Sequence, residues 1–196
     1  RSNSMKLLLA GMALSAVCGA FSSFIVYFAN NKEGMQTIAY WMMGSLAGAQ
    51  WGELAVIAPI IIASILFFWT QSRVLNLMLL GDESAITMGT DLHAYRQWYL
   101  LISSLIVGFA VYSAGMIGFV GLIVPHVIRM FTGPDHKRLL PVAALVGAIF
   151  LVVADGLCRV IIPHTELPIG ILISMIGAPS FIYLMIKKTY GFGGSD

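Results

Sequence analysis

The sequence predicts an all-α protein, a polytopic transmembrane helical bundle with six bilayer crossings, one of them short and broken. Two observations carry this. The chain of 196 residues is 59% hydrophobic and only 10% charged, with a mean hydropathy of +0.89; soluble domains typically carry about 25% charged residues. Too little polar material is left to form a solvated shell. The second observation is where the charge lies. Of the 11 Lys and Arg residues, all but Lys32 and Arg159 fall into four clusters between long apolar runs. Arg1 and Lys6, then Arg73 and Arg96, then Arg129, Lys137 and Arg138, then Lys187 and Lys188 all reach one side if the chain crosses a bilayer between clusters. Basic loops are retained in the cytoplasm. A multi-pass membrane protein is expected, with both termini cytoplasmic.

Residues 7–29 carry no charge and exceed the roughly 20 residues a helix needs to cross. Asn30, Asn31, Lys32, Glu33 and Gly34 end this run on the outer side. Residues 35–52 are apolar but interrupted by Gly44, Gly48, Gln36 and Gln50, and they carry Trp41 and Trp51, which suits an outer surface helix. Residues 54–70 form the second crossing. Residues 71–97 are the longest polar stretch, a cytoplasmic loop. Within it Asp82 and Glu83 open a short helix that Gly89 stops, with acid in the first turn where the helix dipole favours it.

Between Arg96 and Arg129 no charge occurs, and both arginines lie inside, so the chain must go out and return. Two full helices and a turn need more than about 40 residues, and the interval is shorter. One helix over 95–112 fits if the return is broken, as Gly115, Gly118, Gly121 and Pro125 suggest. Such backbone survives at membrane depth only where protein or a water-filled cavity covers it. Residues 132–138 form an inner turn, 139–161 cross outward, 163–168 form an outer loop, and 169–186 return. The chain opens at Arg1 without Met, directly before a span, as the C-terminal part of a longer protein would.

Few residues offer chemistry. Asp155 and Arg159 lie one helical turn apart with the acid first. Ionisable groups in a span are functional candidates by default; a self-neutralising pair that holds the helix end is the other reading. His93, His126, His136 and His164 are scattered, with no i,i+4 pair and no adjacent Cys, so no metal site is expected. His126, beside Pro125, reads as a packed histidine rather than a ligand or proton relay. Cys18 and Cys158 lie in apolar runs and read as small hydrophobes. No Gly-x-x-x-x-Gly-Lys-Ser/Thr occurs, so any ATP energy arrives from a partner. No cofactor is called for. Nucleic-acid binding is not expected, because no basic face forms.

Several segments, in order, resemble one family. They are Leu9-Ala10-Gly11; Gly81-Asp82-Glu83-x-Ala85-x-x-x-Gly89; Gly118-Phe119-Val120-Gly121-Leu122-Ile123-Val124-Pro125-His126; Gly133-Pro134-Asp135-His136; Leu139-Leu140-Pro141; Ala154-Asp155 with Arg159; Glu166-Leu167-Pro168-Ile169-Gly170; and Ile176-Gly177-Ala178-Pro179. Together they resemble the permeases of type II ABC importers for iron-siderophore, haem and vitamin B12, the FecCD type. The likeness covers essentially the whole of residues 1–196 and corresponds to the fifth through tenth of that family's ten helices. It departs at Met88, where the family usually has Leu, and at Met116, where Pro is frequent.

The resemblance implies a non-enzymatic transport subunit that forms a homodimer in a lipid membrane. Its partners would be an ATP-binding subunit dimer and an extracytoplasmic substrate-binding protein. It implies that Gly81, Asp82, Glu83, Ala85, Met88 and Gly89 form the helix that couples to the ATPase, and that Arg159 and Glu166 meet the binding protein. It also implies that residues 7–29 and 169–186 line the pathway. Gly118, Gly121, Pro125, His126 and Asp155 are expected to be structural positions within the membrane. Competing readings are a metal-ion ABC permease, a secondary transporter with Asp155 and His126 as proton relay, and an intramembrane hydrolase using Ser103 or Ser104 with His126. A bare-ion permease calls for His, Asp or Glu in the pathway spans, and the hydrolase for a nucleophile elbow; neither occurs here.

Overall fold

The computed structural model describes residues 2–192, and among them helices form and no strand does. Contacts divide the chain into two units, with the boundary between Met42 and Met43. Arg1 lies outside the described residues, as does the side chain of Lys188.

The first unit holds α1 (Ser2–Ala29) and most of α2 (Lys32–Met43). The chain turns at Asn30, whose φ is 46°. The Asn31 side chain then accepts from the Glu33 amide at 3.1 Å, a local bond of the kind that starts helices. This corrects the expected turn and surface helix. The turn is confined to Asn30 and Asn31, and the helix begins at Lys32 and ends at Met43 rather than running over 35–52.

In the second unit, residues 44–50 lead into α3 (Trp51–Thr70), which starts three residues before the expected crossing. The stretch read as a polar loop is largely helical. It contains α4 (Ser72–Leu80) and α5 (Asp82–Thr87), and α6 (Leu92–Ala114) already begins within it. The short apolar run of α4, broken by Asn76 and set between polar residues, concealed a helix; its Ser72 hydroxyl bonds the Trp69 carbonyl across the corner. Asp91 starts α6 by accepting from the His93 amide at 3.0 Å, so His93 sits in a first turn rather than in a loop. His136 likewise is the first residue of α8 (His136–Val160), with Asp135 as its cap.

The break after α6 is real but shorter than expected. Only residues 115–119 leave the helix. Gly121 and Pro125 lie inside α7 (Val120–Thr132). Pro125 is the sixth residue of this helix, past the first turn, so the Gly121 carbonyl goes without its i→i−4 donor and the helix continues despite that lost bond. α9 (Ile169–Phe192) completes the chain. Among the described residues, five helices (α1, α3, α6, α8 and α9) are long and apolar enough to cross a membrane by length and composition. With 13 residues, α7 is ~20 Å long and falls short of a ~30 Å hydrocarbon core.

α8 is the hub of this unit and packs against α3, α4, α7 and α9. Its core is Ala154 and Cys158 against Ile169 and Ile173, with Leu46, Ile117, Phe119 and Phe150 around them. Cys158 is buried and free, as expected of a small hydrophobe. α9 can enter this core because Gly170 has no side chain: a Cβ there would overlap the Met43 carbonyl. The Gly170 amide instead donates to the Gly44 carbonyl at 3.2 Å.

Candidate functional site

The short acidic helix is assembled from its sequence neighbours. Gly81 adopts φ 95° and ψ 166°, a region open essentially to glycine alone. It reverses the chain so that α5 folds back along α4 and reaches α6. Ala85 is fully buried in that contact, and the Thr90 amide closes the turn on the Ala85 carbonyl at 2.8 Å. Arg96, one turn into α6, holds Asp82 with two bonds: Nη2 to Oδ1 at 2.8 Å and Nη1 to Oδ2 at 3.4 Å. The Arg96 guanidinium, first by hydrogen bonding and then by its charge, holds the Asp82 carboxyl below its ordinary range. Glu83 and Ile86 of α5 and Met88, the residue that caps its end, are exposed, Ile86 to 66% and Met88 to 64%. The result is a small knob with an apolar tip and an acidic edge, fixed at its base.

Asp155 and Arg159 lie toward the far end of α8. Arg159 Nε donates to Asp155 Oδ2 at 3.1 Å, with the arginine side chain 49% exposed and the aspartate 22%. The pair is local to one helix, and the guanidinium keeps most of its donors for another partner. Glu166 is exposed in the following turn. The Leu167 amide bonds back to the Cys158 carbonyl at 3.1 Å, which brings that turn against the end of α8. Gly118, Gly121, Pro125 and His126 remain together on the break and the first turns of α7, with His126 half-buried. They form a group separate from the α5 knob.

Sequence reasoning missed the clamp that holds the start of α8. The Asn76 side chain, on α4, donates to Asp135 Oδ1 at 2.9 Å and accepts from the His136 amide at 2.9 Å. His136 Nδ1 lies 2.7 Å from the same Asn76 oxygen. Asp135 also accepts from the Lys137 amide at 3.1 Å. These two donors, Asn76 first, hold the Asp135 carboxyl below its usual range. The Trp69 indole donates to the Lys137 carbonyl at 2.9 Å. The crossing was expected to begin at 139, after an inner turn, and nothing local to Asn76 revealed its partners about 60 residues on.

Helices long and apolar enough to cross a membrane, with a short tethered helix between two of them, are the features of a polytopic helical membrane protein. The chain belongs to the FecCD transport family, whose model matches residues 1–187. It is 41% identical to the hemin transport system permease protein HmuU of Yersinia pestis, over 95% of this chain and 55% of that protein. It is 41% identical to the cobalamin import system permease protein BtuC of Halobacterium salinarum (91% and 47%). It is 39% identical to the Fe(3+) dicitrate transport system permease protein FecD of Escherichia coli (93% and 57%). A solved structure described as an inward-facing metal-chelate type ABC transporter superposes with a TM-score of 0.84 at 35% identity, covering 91% of this chain and 58% of that one. The chain spans about half the length of the curated relatives it matches.

Proposed function

We propose that this chain is a permease subunit of an ABC importer, moving an iron-siderophore, haem or cobalamin-type chelate across the cytoplasmic membrane. A separate ATPase dimer supplies the energy, and an extracytoplasmic binding protein supplies the substrate. Residues 1–196 form the membrane part, with residues 71–97 as its cytoplasmic coupling segment. Two copies assemble around the pathway, and both chain ends face the cytoplasm.

The observation that carries this reading is the α5 knob. It has a buried base at Ala85, a carboxylate pinned by Arg96, and exposed Ile86 and Met88 at the tip. A six-residue helix is marginal by itself. This one is held rigid by tertiary contacts while its apolar side chains face outward, which is the design of a docking element. Gly81, Asp82, Glu83, Ala85, Met88 and Gly89 build it. At the opposite end of α8, half-exposed Arg159 offers charge-assisted contacts to a carboxylate on the binding protein, with Glu166 beside it. Gly118, Gly121, Pro125, His126 and Asp155 serve packing and helix shape within the membrane.

The decisive experiment is uptake of a labelled ferric chelate, haem or cobalamin into proteoliposomes holding the complete transporter. Uptake should require ATP, the ATPase and the binding protein. Uptake that survives an inactivated ATPase but collapses with the proton gradient would overturn the reading in favour of a proton-coupled carrier.

A further inference from the structure

α8 carries Arg159 near one end and at the other packs against α4, the helix that leads into the α5 knob. It has 25 residues and is therefore ~37 Å long. Its first turn is gripped by α4, which leads directly into the α5 knob, and its last turn carries Arg159. The grip is made mainly by one uncharged side chain. Asn76 uses its amide N–H on the cap carboxylate of Asp135 and its oxygen on the His136 amide. The His136 Nδ1 contact to that oxygen requires the ring proton on Nδ1, since the oxygen accepts only. The α8 N-terminus thus obtains one of its first hydrogen bonds from α4, although a helix start ordinarily draws on its own cap residue or water.

We propose that Asn76 is a positioning residue that locks the coupling segment to the first turn of α8, so that movement of α5 is passed to the Arg159 end as movement of one body. This rests on the transport reading above. The physical case is that a donor and an acceptor on one planar amide fix both distance and rotation between two elements. A single apolar contact would let them slide. The Trp69 indole on the Lys137 carbonyl supplies a second attachment point from α3, so loss of Asn76 frees rotation of the α8 start without detaching it.

The test uses the complete transporter in nanodiscs, with wild type, Asn76→Leu, and the double variant Asn76→Cys with His136→Cys in a Cys18→Ser background. Three quantities are read: hydrogen exchange at the His136 amide, co-purification of the ATPase, and stimulation of ATP hydrolysis by the binding protein. In Asn76→Leu, exchange at His136 should rise roughly tenfold, as expected for one lost hydrogen bond. The ATPase should still co-purify, while stimulation falls several-fold. In the double variant, bridging the two introduced thiols with a short cross-linker should restore stimulation, and reduction or omission of the linker should not. A merely structural asparagine would lower thermal stability without a linker-dependent change in stimulation. Unchanged His136 exchange in Asn76→Leu would overturn the clamp. Full stimulation in Asn76→Leu, or stimulation indifferent to the linker, would overturn the transmission role. A wild-type complex that retains no ATPase would overturn the transport reading, and the transmission role with it, whatever the exchange rates.

Discussion

Two ion pairs sit near opposite ends of the second unit, and they differ in kind. Arg96–Asp82 joins residues from two helices and pins both carboxylate oxygens. Asp155–Arg159 joins residues one turn apart on a single helix through one bond at 3.1 Å. The first fixes the position of a separate element, α5, which has only six residues and needs tertiary support. The second orders nothing beyond its own helix face and leaves a half-exposed guanidinium able to take a second partner. A tertiary pair suits a coupling element that must not shift against its support. A local pair suits a docking charge that must be displayed and yet remain soluble at a helix end.

Reversing charge at the coupling end should have the largest effect. Asp82→Lys with Glu83→Lys places a cation beside Arg96 and should abolish coupled transport while the chain still inserts. Transport per ATP hydrolysed measures this, and surviving coupling would sink the assignment of α5. Next comes the support of the other end. Gly170→Ala drives a Cβ into the Met43 carbonyl, so backbone must move, at a cost of roughly 1–3 kcal/mol or more. Thermal unfolding in detergent reads that loss. Arg159→Glu should weaken binding-protein affinity about 10- to 100-fold, the range for a lost charge pair at an interface, with ATPase assembly intact. Unchanged affinity would remove Arg159 from the docking surface.

Asp155→Asn should be small. An exposed i,i+4 pair contributes about 0.3–0.5 kcal/mol, so the unfolding temperature should hardly move. A large shift would show that Asp155 has a second task within the membrane. Acid should probe the Asp82–Arg96 tie directly. Because the Asp82 carboxyl is held below its ordinary value of 3.8, its tie to Arg96 is fully present above that pH and is lost as pH falls through the lowered value. Protection factors of the α5 amides, which correct exchange for its intrinsic pH dependence, should therefore be flat from neutral pH to about 4 and fall only below it.

The expected helical class, the long spans and the acidic loop helix are all present. The reason is that each depends on residues close together in sequence: continuous apolar runs, and Asp82-Glu83 before Gly89. The misplaced boundaries share a different cause. α2 starts at Lys32 through the Asn31 cap and ends where Gly44 takes φ 86°. α4 was hidden because its polar and apolar residues match no simple loop or span pattern. Gly121 and Pro125 were read as breakers, yet the chain leaves the helix only at 115–119, where Phe119 adopts φ 67°. Composition announced a break in the return segment but could not assign it to particular peptide units.

Sequence by itself settled what depends on sums along the chain. Hydropathy over some 20 residues and the clustering of Lys and Arg are additive quantities that no folding partner can alter. They determined a helical membrane protein, and the ordered motifs determined its family. Only the tertiary structure decided which side chains meet: Asn76 with Asp135 and His136, Arg96 with Asp82, and the bare Cα of Gly170 against the Met43 carbonyl. These contacts join residues 14 to 127 positions apart. A hydrogen bond or a close backbone approach depends on where both partners end up in space, which no local property of either one carries.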